Sequence, residues 1–193
     1  MKTASLLLLM TIAALSACRK NNDTPPAPKV SYTNMDIFTY EKDKDNANTM
    51  VWYTTHKNSR NSLKEIVADK SIEAKVLFGY YKDDKTNGLY ASTQYPVLYG
   101  QEKWGTKNNT VFIKPSFEAK DFYEWSKTNK DSVTVEMIDK ACELGTAIGN
   151  KVTDVKAGDV FLFQVEGKFK GIVKVNGFYF KNTCISLETW IRE

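Results

Sequence analysis

The stretch GDVFLFQVEGKFKGIVKV at residues 158–175, with CISLETWI at residues 184–191, decides the fold. Gly158 and Asp159 open an apolar run, Glu166-Gly167-Lys168 offers a turn, and an apolar run at residues 171–175 follows. In the last run Ile185, Leu187 and Ile191 share one parity. Successive side chains of a strand point to opposite faces, so this alternation marks a strand with one buried face. Three such runs joined by short polar links read as an antiparallel meander. Residues 160–165 are apolar on both parities apart from Gln164, which predicts a central strand covered on both sides. Trp190 has the parity opposite to Ile191 and faces either a second layer or solvent.

Upstream, Met137, Ile138, Ala141 and Leu144 recur at helical spacing, and Gly145 stands where such a helix stops. Cys142 lies one helical turn after Ile138, near the same face, which favours a buried thiol. Phe117, Phe122, Tyr123 and Trp125 read as core residues on another short helix. Residues 97–99 and 110–113 are expected as short strands, the second closed by Pro115. Between them runs QEKWGTKNN, residues 101–109, a polar loop in which Trp104 has no alternating partners: it is the first candidate for an exposed aromatic, the alternative being that it folds back over the core edge. Ala74, Val76, Phe78 and Tyr80 alternate along a further strand, and Asn87-Gly88 predicts a tight hairpin returning through residues 89–93. Ser62-Leu63-Lys64-Glu65 has the form of a capping box, opening a short helix with Leu63, Ile66 and Val67 on one face. Residues 30–40 and 50–55 supply the first strands. Asp43 and Asp45 between them do not make a calcium loop, because Ala47 and Thr54 stand at ligand positions. The fold class is therefore α+β and mainly β: an antiparallel sheet or sandwich with a C-terminal three-strand meander and one or two short helices, formed by residues 30–193 as a single domain.

The chain carries 27 Lys and Arg against 23 Asp and Glu, a formal net charge of +4. Basic residues are dispersed among acidic ones, with no basic run interleaved with stacking aromatics, so no nucleic-acid partner is expected. His56 is the single imidazole and has no Cys or second His at ligand spacing, so neither a metal nor another cofactor is expected. The sequence contains no G-x-S-x-G, P-loop, H-E-x-x-H or paired C-x-x-C motif, and no carboxylate pair stands out. It reads as a non-enzyme.

The first residues, MKTASLLLLMTIAALSAC, place Lys2 before an apolar run too short to span a bilayer as a helix but long enough for a signal-peptide core. Leu15-Ser16-Ala17-Cys18 resembles the lipobox of bacterial lipoproteins. That resemblance implies cleavage of residues 1–17 and acylation of Cys18, which anchors the chain in the outer membrane of the cell envelope, facing the periplasm or the surface. Residues 18–29, CRKNNDTPPAPK, would then be a lipidated cysteine and a flexible Pro-rich spacer. With Cys18 assigned to lipid, Cys142 and Cys184 remain in an oxidising compartment, either paired or as two buried thiols. Lys20-Asn21-Asn22-Asp23 partly matches a surface-export signal of Bacteroidota, and the layout of lipobox, spacer and β-rich domain resembles the surface lipoproteins of that group. The resemblance implies a binding accessory that takes a glycan or nutrient, with Trp104, Tyr80, Tyr81 and Trp190 as candidate ligand-binding residues. The alternative is a structural or interaction subunit of an outer-membrane assembly, contacting another protein and no small molecule.

Overall fold

The C-terminal meander forms the middle of the larger of two antiparallel sheets. A computed structural model describes residues 27–42, 44–56 and 60–193. The six-stranded sheet contains β1 (Val30–Phe38), β6 (Val111–Lys114), β7 (Thr146–Gly149), β9 (Val160–Val165), β10 (Phe169–Tyr179) and β11 (Cys184–Arg192), in the order β1-β11-β10-β9-β6-β7. The five-stranded sheet contains β2 (Trp52–Thr54), β3 (Arg60–Asn61), β4 (Val76–Lys82), β5 (Asn87–Tyr90) and β8 (Lys151–Thr153), in the order β3-β2-β4-β5-β8. Three α-helices accompany them among the described residues: α1 (Leu63–Ala68), α2 (Ala119–Asn129) and α3 (Val135–Leu144). The fold is α+β and mainly β.

β9 is buried on both faces, as its composition predicts. Phe163 and Val165 point into the main core between the sheets, while Val160 and Leu162 point into a second core beneath α2 and α3. The main core also takes Ile37, Phe78, Tyr80, Phe112, Val173 and Leu187, and a buried hydrogen bond between Tyr53 Oη and Thr189 Oγ1 ties one sheet to the other. Fully burying one such large apolar side chain contributes about 1.5–3 kcal/mol. The outer face of the five-stranded sheet carries a third apolar layer built on Trp52, Tyr90, Tyr95, Tyr99 and Trp104.

Local chemistry sets the helix ends. Ser62 Oγ accepts from the Glu65 amide while the Ser62 amide donates to Glu65 Oε2 (2.8 Å), completing the capping box of α1. Thr134 caps α3 by accepting from the Met137 amide, and the Gly145 amide closes it by donating to the Ala141 carbonyl (3.0 Å).

Two expectations need correction. Asn87 and Gly88 are not the hairpin turn but the start of β5. The turn comes earlier, where Asp83 Oδ1 accepts from the Lys85 and Thr86 amides (2.8 and 2.9 Å). Gly88 is needed for packing instead, since a Cβ there would run into the Val152 carbonyl of β8. Residues 97–99 form no strand, because the Gln101 side chain takes their backbone groups: the Tyr99 amide donates to Gln101 Oε1 (2.7 Å), and Gln101 Nε2 donates to the Val97 carbonyl (2.6 Å).

Candidate functional site

The chain enters the fold and ends at the same edge: the Glu193 amide donates to the Lys29 carbonyl (3.0 Å) beside the Val30–Arg192 pair. β1 then runs nine residues away from that edge, which at strand rise is about 30 Å. At its far end the Lys82 amide donates to Thr39 Oγ1 (2.7 Å), bringing in the β4–β5 turn, and the Thr39 amide donates to the Thr183 carbonyl (2.9 Å), bringing in the β10–β11 hairpin. The β8–β9 loop joins them, with the Asp154 amide on the Asn87 carbonyl (2.9 Å) and the Val175 amide on the Asp159 carbonyl (2.9 Å). The loops distal to the point where the chain enters therefore form one end of the sandwich.

This end holds every non-glycine residue of positive φ among the described residues: Asp154 (57°), Phe180 (51°), Lys181 (57°) and Asn182 (66°). Left-handed backbone costs an ordinary residue about 1–2 kcal/mol, and it persists where the surroundings enforce it. The hairpin tip shows how. A register shift between Val175 and Gly177 kinks β10 as it approaches the turn. The Thr183 amide and hydroxyl both donate to the Phe180 carbonyl (3.2 and 2.9 Å), and the Phe38 ring stacks on that of Phe180 with centroids 6.4 Å apart. From inside the core, Tyr80 Oη donates to the Asn182 carbonyl (2.8 Å). Burial pushes the Tyr80 phenol above its ordinary pKa, so it stays a neutral donor.

On this frame Tyr179 and Phe180 stand 53% and 73% exposed. The tip is a rigid aromatic knob with Lys181 beside it. Next to it, Lys82, Asp83, Lys85, Asn87, Asp154 and Lys156 line a polar cleft of about 430 Å³. Among the described residues no group of three or more His, Cys, Asp or Glu is placed to hold a metal ion.

The four aromatics singled out in the sequence lie elsewhere. Trp104 is buried, not exposed, at 6% of its free surface. The cause is a carboxylate far away in sequence: the Gly105 and Thr106 amides donate to Glu73 Oε2 (2.8 and 3.2 Å), folding the loop back so that the indole packs edge-on against Trp52. Its Nε1 has no acceptor among the described residues, so the indole itself contributes packing and no hydrogen bond. Trp190 is also fully buried, because the six-stranded sheet carries a helix layer: the ring meets Phe122 edge-on and Nε1 donates to the Lys130 carbonyl (2.8 Å). Tyr80 is buried between the sheets and acts as the strut of the hairpin tip. Tyr81 alone keeps partial exposure, at the rim of the Trp52 layer against Tyr90 and Tyr95. Cys142 and Cys184 are separate buried thiols, each pushed up to about 11 by burial. Cys18 and the signal-like segment lie outside the described residues. The tip itself was missed in the sequence. Its signal is the cluster Phe178-Tyr179-Phe180 directly before Lys181-Asn182, aromatics where a hairpin turn normally has small or polar residues.

No protein-family model matches the chain. No curated protein matches it either. Among solved structures it is similar to a DUF4466 family protein from Parabacteroides merdae ATCC 43184, at 14% identity and a TM-score of 0.49, over 84% of this chain and 53% of that one. The chain thus spans about half the length of that structure. No helix among the described residues is long and apolar enough to cross a membrane.

Proposed function

We propose that this protein is a membrane-tethered lipoprotein of the cell envelope, anchored through acylated Cys18, which acts as an interaction accessory by offering Tyr179 and Phe180 to a protein partner in the outer membrane. The observation that carries the reading is the preorganised, exposed aromatic pair at the end of the sandwich opposite to where the chain enters. A flexible tether attached beside Lys29 leaves the tip, at the other end of the sandwich, clear of the attachment point. Exposed aromatics are the usual anchors of a protein contact, and a tip already fixed in shape loses little entropy on docking. The interaction reading is favoured over glycan capture by the four nominated aromatics because Trp104, Tyr80 and Trp190 are committed to the interior.

The test is a photo-crosslinking side chain placed at Phe180 and, as a control, at Val67, which is 63% exposed on α1. In cells with their native envelope, position 180 is expected to give one discrete protein adduct and position 67 none. No adduct at 180, or the same adducts from both, overturns the proposal. The anchor has its own check: Cys18→Ser abolishes the acyl mass on the mature N-terminus, and persistence of that mass refutes lipidation there.

A further inference from the structure

The chain passes from one sheet to the other at Gly149 and Asn150, between β7 and β8. Gly149 has φ of 130°, a conformation that side chains rarely adopt, so the corner depends on glycine. Because β7 and β8 are the last strands of their sheets, the crossing leaves the flank of the sandwich open beside it. A cleft of about 560 Å³ lies there, within the range of small-ligand sites. It shares no lining residue with the polar cleft beside the hairpin tip.

The lining has a definite chemistry. Phe161 packs against the main core but is only partly buried, and it borders the cleft. Around it stand Ile148, Gln94, Asn150, Lys151 and Thr153, with no carboxylate in the lining. Asn150 is held rigidly, since its Nδ2 donates to the Thr110 carbonyl (2.9 Å) and its own carbonyl accepts from the Ala91 amide (2.9 Å). Those bonds fix Asn150 Oδ1, to which no donor reaches among the described residues. Gln94, Lys151 and Thr153 are exposed.

An aromatic ring bordered by a fixed amide oxygen, a second amide, a hydroxyl and one ammonium matches a ligand with an apolar C–H face and a rim of hydroxyl groups. The absence of carboxylates makes the cleft a poor host for cations. We propose that the β7–β8 crossover cleft binds a saccharide ring, stacked on Phe161, with hydroxyl groups donating to Asn150 Oδ1 and exchanging hydrogen bonds with Gln94 and Thr153, and with Lys151 placed for a ring carboxylate. This goes beyond the protein contact assigned to the hairpin tip and uses none of its residues.

The experiment is a ¹⁵N–¹H NMR titration of the mature chain carrying Cys18→Ser, with glucose, galactose, N-acetylglucosamine and glucuronate as probes. Saturable shifts confined to residues 94, 148–153 and 161 are expected from at least one of them. Gln94→Ala and Thr153→Val, both exposed and outside the core, should each weaken that binding by about fivefold, the scale of one lost hydrogen bond, with Tm unchanged. Tyr179→Ser with Phe180→Ser should leave it unaltered, which separates this site from the tip. No saturable shift from any probe, or binding indifferent to both cleft substitutions, overturns the proposal.

Discussion

Lys174 carries its ammonium group into the layer beneath α2, where the residue is only 2% exposed. Its Nζ lies 2.7 Å from Glu188 Oε2 and 3.1 Å from Ser126 Oγ, and 4.8 and 5.8 Å from the ring centroids of Tyr123 and Trp190. Lys174→Met keeps the apolar stem and removes the charge. Glu188 then retains only Asn176 Nδ2 as a donor (3.3 Å) among the described residues. Leaving one charge of a dry pair uncompensated costs about 3–5 kcal/mol. The Glu188 side chain is 16% exposed, so water recovers part of that, and the expected loss is about 2–3 kcal/mol. For a domain of this size, that lowers Tm by about 4–12 °C. Adding Glu188→Leu removes the orphaned carboxylate, and the double variant is expected to regain most of the loss. Urea denaturation at neutral pH measures both, with an unchanged m-value showing that the same surface is exposed on unfolding. A single variant within about 0.5 kcal/mol of wild type would refute the reasoning. So would a double variant as unstable as the single.

Tyr80→Phe deletes the donor to the Asn182 carbonyl, so stability should fall by about 0.5–1.5 kcal/mol and amide exchange should quicken at residues 179–183, as hydrogen-exchange mass spectrometry would show. Glu65 has its pKa held below the ordinary carboxylate value, first by the hydrogen bond from the Ser62 amide. A depressed folded-state pKa stabilises the fold above the unfolded value of about 4.3 and is lost as pH falls through the folded one, so Glu65→Gln should flatten that acid limb of an unfolding curve. With Cys18→Ser in place, Cys142 and Cys184 should resist a maleimide at pH 8 in the native protein and both react once it is unfolded; fast native labelling of either would contradict their burial.

The parts of the fold legible in the sequence are those whose cause is local. The parity of Ile185, Leu187 and Ile191 is enough to orient β11, and the two-sided apolarity of β9 reports its place between two cores. Ser62 with Glu65 at the start of α1, and Gly145 at the end of α3, act within a turn of themselves. What was illegible depends on residues far along the chain. Trp104 turns inward because Glu73 captures the next two amides, and Trp190 is covered because α2 and the Lys130 carbonyl lie over it. Gly88 looks like a turn residue but serves a close approach to β8, a strand that gives little signal itself because Lys151 and Thr153 are exposed. β7 is similarly short and exposed throughout most of its length. The hairpin tip was hidden for a different reason: its left-handed backbone is imposed by Tyr80, Thr183 and Phe38, while its own residue types argue for ordinary strand.

The most direct test of the tethered, tip-presenting reading compares the full lipidated protein with its Tyr179→Ser/Phe180→Ser variant, each recovered with its bound partners from gently solubilised native envelopes and quantified by mass spectrometry. Both side chains are largely exposed, so Tm should stay within a few degrees. The account predicts that an outer-membrane protein enriched with the wild type falls about tenfold or more in the variant. Equal enrichment with a stable variant would contradict it.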